Sequence, residues 1–247
     1  MEWIGAYPVP AGPLAVRWLA WELGEAHAGS LVRARVALEN AGSAAWRSPA
    51  EDEGIKLSYH WLDERGNPIV WDGARTPLEL EPGTSAELAV ELRAPIPPGR
   101  YRIAFDLVEE GRFWLAELGN TPLEREVEVR PRDAAGARDY LAGAEPADDR
   151  AERVRAAHEE GYAAVGGALE VAPAGLRRRP PPELAPYAPD GGRKPGFPHP
   201  LLCPSLLPPL EPNVEIAGLP AWRPEGDEPW LYDARIRARL PAGRRRG

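Results

Sequence analysis

The stretch that decides the fold is Lys56–Gly73, KLSYHWLDERGNPIVWDG, in which two tryptophans ten residues apart flank a charged turn punctuated by Gly66 and Pro68. In the run Ile55–Leu62, alternation puts Ile55, Leu57, Tyr59 and Trp61 on one face and Lys56, Ser58 and His60 on the other. A period of two belongs to a strand with one face on a core, so Trp61, among aliphatics, is expected inside. Trp71 closes the run Ile69–Trp71 just before the Asp72-Gly73 turn. Side chains in that position reach the rim of a sheet, where an aromatic ring either completes the fold or stacks on a ligand.

The same grammar extends outward. Val32, Ala34, Val36 and Leu38 alternate with Arg33, Arg35 and Glu39; Leu88, Val90 and Leu92 alternate with Glu87, Ala89, Glu91 and Arg93. Tyr101, Ile103, Phe105 and Leu107 share a face, as do Leu123, Val127 and Val129. Turn signals separate the runs, among them Asn40-Ala-Gly42, Pro82-Gly83, Pro97-Pro-Gly99 and Glu110-Gly111. Short strands at this spacing, each with one polar face, predict an all-β domain, an immunoglobulin-like antiparallel β-sandwich over residues 1–132. Trp46 is expected to plug one end of it, and Trp114 to follow a hairpin turn.

The remainder changes character. Residues 133–172 read as a linker with one short helix in ADDRAERVRAAHEEG, Asp148 as N-cap and Gly161 just past its end. Residues 173–247 read as a Pro-rich, mostly irregular extension, because proline removes ladder donors and favours extended backbone. It keeps Tyr187, Phe197, Trp222 and several leucines, which disordered segments lack. The expectation is that it wraps over a neighbouring surface. Its last segment, PWLYDARIRARLP, alternates cleanly and reads as one terminal strand that pairs with a sheet edge.

The 247 residues are 43% hydrophobic and 28% charged, with a net charge of −8 that speaks against nucleic acid or an anionic membrane as partner. A single cysteine, Cys203, among leucines and prolines, excludes an intramolecular disulfide and reads as an inert thiol. The N-terminal residues lack the pattern of a secretory signal, and no apolar run reaches the length of a membrane span. The expected location is cytoplasmic.

Catalytic signatures are missing: no G-x-S-x-G elbow, P-loop, H-E-x-x-H or dinucleotide fingerprint. The run Gly161–Gly167 lacks what a phosphate cradle needs, His27, His60, His158 and His199 show no metal spacing, and no cofactor is implied. The carboxylate clusters Glu51-Asp52-Glu53 and Glu109-Glu110 read as solvated loops.

A resemblance adds to this. Asn40-Ala-Gly42-Ser-Ala-Ala-Trp46, Leu80-Glu-Pro82-Gly83, Ala94-Pro95 with Pro98-Gly99-Arg-Tyr101, and Gly111-Arg-Phe113-Trp114 follow one another as in the four-tryptophan (FW) immunoglobulin-like domain. That domain is known from autophagy cargo receptors and occurs widely in bacterial proteins. The stretch LSYHWLDERGNPIVWDGARTPL is closer still to bacterial immunoglobulin-like accessory domains of glycosyltransferases and surface-polysaccharide proteins. The resemblance covers residues 14–131 and departs from the receptor type at Phe105, where a tryptophan is common.

The resemblance implies a non-catalytic interaction module, accessory to bacterial surface-polysaccharide or glycan assembly, with a protein or a glycan as partner. An alternative is direct carbohydrate binding, with Trp71 and Trp114 as stacking platforms and His60, Asp72 and Arg75 as polar partners. A third reading makes the C-terminal half part of an enzyme active only with a partner chain, which requires His158, Glu159, Asp190 and Asp233 to converge.

Overall fold

In the computed structural model, the described residues are 1–5, 7–133, 145–146, 150–171, 193–195, 205–206, 214–216, 219–221 and 228–240. They divide into two compact units. The first comprises Met1–His27, Leu31–Pro95 and Gly99–Arg130; the second comprises Ala28–Ser30, Ile96–Pro98 and the chain from Pro131 onward.

The first unit is built of β1 (Glu2–Trp3), β2 (Val16–Leu23), β3 (Leu31–Asn40), β4 (Ile55–Leu62), β5 (Pro68–Val70), β6 (Thr76–Pro77), β7 (Ser85–Arg93), β8 (Gly99–Glu109), β9 (Phe113–Trp114) and β10 (Leu123–Val129), with one 3-10 turn at Leu115–Leu118. One antiparallel sheet has the order β1-β2-β3-β7. The other has the order β10-β8-β4-β5, with β6 also on β4 and β9 on β8. The inward residues are those the alternation selects. Leu57, Trp61, Ile103, Phe105 and Leu107 of one sheet and Val36, Leu38 and Leu92 of the other are fully buried. Each such side chain contributes about 1.5–3 kcal/mol by leaving water. The Tyr59 hydroxyl accepts the Arg93 N–H at 3.2 Å and so ties β4 to β7 of the opposite sheet. Trp46 is also fully buried, and its backbone exchanges two hydrogen bonds with Leu80.

The turn between β4 and β5 is fixed by Asp63, whose carboxylate accepts the N–H groups of Arg65 and Asn67 at 2.9 and 2.7 Å while Gly66 takes a positive φ of 85°. That turn sends Ile69–Trp71 back along β4.

The second unit holds β11 (Glu145–Pro146), α1 (Arg150–Glu160), β12 (Ala164–Val171), β13 (Arg193–Pro195), β14 (Ser205–Leu206), β15 (Val214–Ile216), β16 (Leu219–Ala221) and β17 (Trp230–Leu240). The helix ends where the sequence places it, with Gly161 at φ 130°. Val154, Ala157, Tyr162, Val165 and Leu231 form its core, with Ile96 packed against them.

One reading of this part needs correction, the single terminal strand. A strand also begins at Ala164, within the run Gly161–Gly167. The terminal strand β17 pairs in parallel with β12, from Ala164 opposite Trp230 to Val171 opposite Leu240, and carries β11 and β13 beside it. The extension therefore has more strand than the single terminal one expected. A strand paired in parallel needs no polar face, and two glycines in its middle hide it further. Asp148, Asp190, His199, Cys203, Tyr187, Phe197 and Trp222 lie outside the described residues.

Candidate functional site

The site grows from the outer face of β4. Residues opposed across an antiparallel pair share a face, and β4 sets Lys56 against Val108, Ser58 against Asp106 and His60 against Ala104. Val108 is in turn opposed by Trp114 of β9, so Trp114 joins that face. Val70 opposes the inward Trp61, and Trp71, one residue on, turns to the outer side with His60.

Sequence alternation sets Lys56, Ser58 and His60 outward, yet they are as buried as the core face, at 2%, 0% and 4% exposure. What covers them is the Trp71–Arg75 loop and Trp114. Gly73 makes the close approach possible. Its N–H donates to the Tyr59 carbonyl at 3.1 Å, and a Cβ there would lie 2.5 Å from that oxygen. The Ser58 hydroxyl donates to the Gly73 carbonyl at 3.0 Å.

The five residues singled out in the sequence come together here. The His60 ring stacks on Trp71, centroids 4.2 Å apart and planes 19° apart, and meets Trp114 edgewise at 4.3 Å. Trp71 and Trp114 are 6.1 Å apart at 67°. The His60 Nδ1–H donates to the Trp71 carbonyl, which fixes the tautomer and leaves Nε2 as an acceptor. Burial holds the imidazole below its ordinary pKa, against the opposing pull of that bond and of Asp72, while Arg75 adds to the lowering. One face of the Trp71 ring is thus covered, and the residue remains 54% exposed.

Arg75 is the hub of the polar part. Its guanidinium lies 5.1 Å over the Trp114 ring. Nε donates to Glu110 at 2.6 Å, Nη1 to the Gly73 carbonyl at 2.7 Å and to Ser58 at 2.9 Å, and Nη2 to Asp72. Lys56 donates to the Glu51 carbonyl and lies 3.7 Å from Glu110. Glu110 is therefore not the solvated loop carboxylate expected, since two cations draw its side chain down to 15% exposure. Lys56, Ser58 and Glu110 were missed as members of the site. The first two were legible, because they share the face of His60; nothing in the spacing points to Glu110. An open cleft of about 770 Å³ adjoins, with Asp72, Arg75, Lys56 and Glu110 in its wall.

Chemically the arrangement offers an aromatic ring fixed from behind and a fan of donors and acceptors beside it. Asp72 and Glu110 both accept from Arg75, so neither stands as a lone carboxylate over the cleft. Elsewhere, His158 is fully buried and its Nδ1–H donates to the Tyr162 carbonyl at 2.8 Å; burial pushes its pKa down to about 4. Asp233 is also buried, whereas Glu159 is exposed. Among the described residues no group of three or more His, Cys, Asp and Glu is placed to hold a metal, and no helix is long and apolar enough to cross a membrane.

No family model matches the chain, and no curated protein matches it. Among solved structures, the C-terminal domain of Wzt aligns at TM-score 0.34 and 9% identity, over 48% of this chain and 75% of that one. A putative β-galactosidase from Bacteroides fragilis aligns at 0.28 and 12% identity, over 65% of this chain and 20% of that one. The β-glucosidase from Listeria innocua in complex with gluconolactone aligns at 0.28 and 16%, over 46% and 15%. Superpositions this loose transfer nothing from those proteins to this chain.

Proposed function

We propose that the protein is a non-catalytic glycan-binding module: an immunoglobulin-like sandwich of the four-tryptophan type that serves in bacterial surface-polysaccharide assembly. The glycan part of the reading is carried by one observation, the half-exposed Trp71 ring clamped from behind by His60 and flanked by Trp114, Asp72 and Arg75. A flat apolar ring beside fixed donors and acceptors fits a sugar, whose C–H face lies on the ring while its hydroxyls reach the polar groups. Because the ring is already held, little ordering cost falls on binding. The polysaccharide-assembly context and the family type rest on the sequence resemblance of residues 14–131.

Isothermal titration against neutral and acidic bacterial polysaccharides tests the reading. Saturable binding that Trp71→Ala weakens at least tenfold, with the fold intact by circular dichroism, is the expected result. Binding that Trp71→Ala leaves unchanged contradicts it. No binding across the panel favours the second reading, a protein partner, for which an exposed tryptophan beside an arginine is also the usual anchor.

A further inference from the structure

The cleft beside the rings belongs to the same site. Asp72, next in sequence to Trp71, and Arg75, which lies over the Trp114 ring, both stand in its wall, so residues flanking the platform also line the cleft. Lys56 lines the cleft with a side chain only 3% exposed. An ammonium has three donors; the Glu51 carbonyl takes one, and Glu110 at 3.7 Å is an ion pair beyond hydrogen-bond length. Among the described residues, donor capacity therefore remains on Lys56 in the cleft wall.

The charge balance there is uneven. Two cations, Lys56 and Arg75, face four carboxylates, and Asp72 and Glu110 already engage them. That leaves Glu51 and Asp52, both exposed and in no ion pair among the described residues. A hydroxyl both donates and accepts, so it finds partners of each kind here, whereas a carboxylate or phosphate meets an excess of its own sign.

Resting on the glycan reading, we infer that the ligand is an uncharged glycan held over at least two consecutive sugar units, one on the Trp71 ring and the next in the Lys56–Arg75 cleft, with Glu51 and Asp52 turning away acidic chains.

The test uses the full chain and glucose, mannose and galactose oligomers of one to six units, each with its carboxymethylated counterpart. Going from one unit to three should raise affinity at least tenfold. Ala50→Trp, which fills the cleft wall, should cancel that gain while single-unit binding persists; Pro77→Trp, outside the Trp71–Arg75 loop, serves if the first variant lowers the Tm. Carboxymethylated oligomers should bind at least fivefold more weakly at low salt. Added salt, or the pair Glu51→Gln and Asp52→Asn, should close that gap. Equal affinity for one unit and six, or for charged and uncharged oligomers, overturns the inference and leaves the Trp71 platform standing. Failure of every oligomer to bind the unaltered protein overturns the glycan reading itself.

Discussion

Asp106 stands out at the level of single residues. It lies on the outer face of β8 opposite Ser58, is 1% exposed, and among the described residues accepts only backbone N–H groups, from Leu107 at 2.7 Å and Ala116 at 3.2 Å. Burial pushes its pKa up to about 7, with Glu117 acting the same way and the two N–H donors opposing. The folded chain then holds a proton that the unfolded chain releases near pH 4. This contribution to stability is complete at acid pH and is lost as pH rises toward and through 7, at up to roughly 1.4 kcal/mol per pH unit. The Tm measured between pH 4.5 and 7.5 should fall more steeply in the unaltered protein than in Asp106→Asn. Asparagine forfeits one of the two N–H bonds, so the comparison lies in the slope and not in the level. Parallel slopes contradict the assignment.

At the scale of elements, β4 carries both the core and the site. Trp61 on its inner face is fully buried, and His60 beside it on the outer face holds Trp71. The arrangement depends on the loop at Gly73 lying against Tyr59. Gly73→Ala puts a methyl 2.5 Å from the Tyr59 carbonyl oxygen and 2.8 Å from its ring, so the loop must lift. A loss of about 1–3 kcal/mol in a denaturant titration is expected, with a change in near-ultraviolet circular dichroism as the Trp71–His60 stack opens. An unchanged aromatic spectrum contradicts this coupling.

The inner face of β4 was legible from period-two alternation alone, because a strand with one side on a core must write its neighbours that way. The burial of its outer face was not: Trp114 could be named as an aromatic of the rim, but its seat over that face follows from the register Lys56–Val108–Trp114, which spans nearly sixty positions of sequence. The grouping of Trp71, His60, Asp72 and Arg75 could be read because they fall within sixteen residues. Glu110, arriving from the far end of β8, could not. In the same way β12 escaped notice, because Gly166 and Gly167 break the alternation that a half-exposed strand displays.

Across the whole molecule, the two units obey different rules. The first is antiparallel in every strand pair, including the distant pairs of β3 with β7 and β4 with β8. The second depends on β12 lying parallel to β17, two segments separated by the Pro-rich stretch, with Val165 and Leu231 in its core. Parallel strands cannot be closed by a hairpin, so beyond Ala164 and Val165, which also pair with β14, β12 relies on the last part of the chain for its partner. Deleting residues 228–247 should strip hydrogen-exchange protection from the amides of 166–171 while those of β4 and β8 keep theirs. Persisting protection in 166–171 contradicts that dependence.

In the proposed function, one tryptophan cluster on the outer face of β4 and β8 receives a glycan. The most direct test follows the indole N–H signals of all nine tryptophans by NMR as a neutral glycan is added. Trp71 and Trp114 should shift together and saturably, while the buried Trp46 and Trp61 stay where they are. Shifts confined to other tryptophans, or none at saturating glycan, would contradict it.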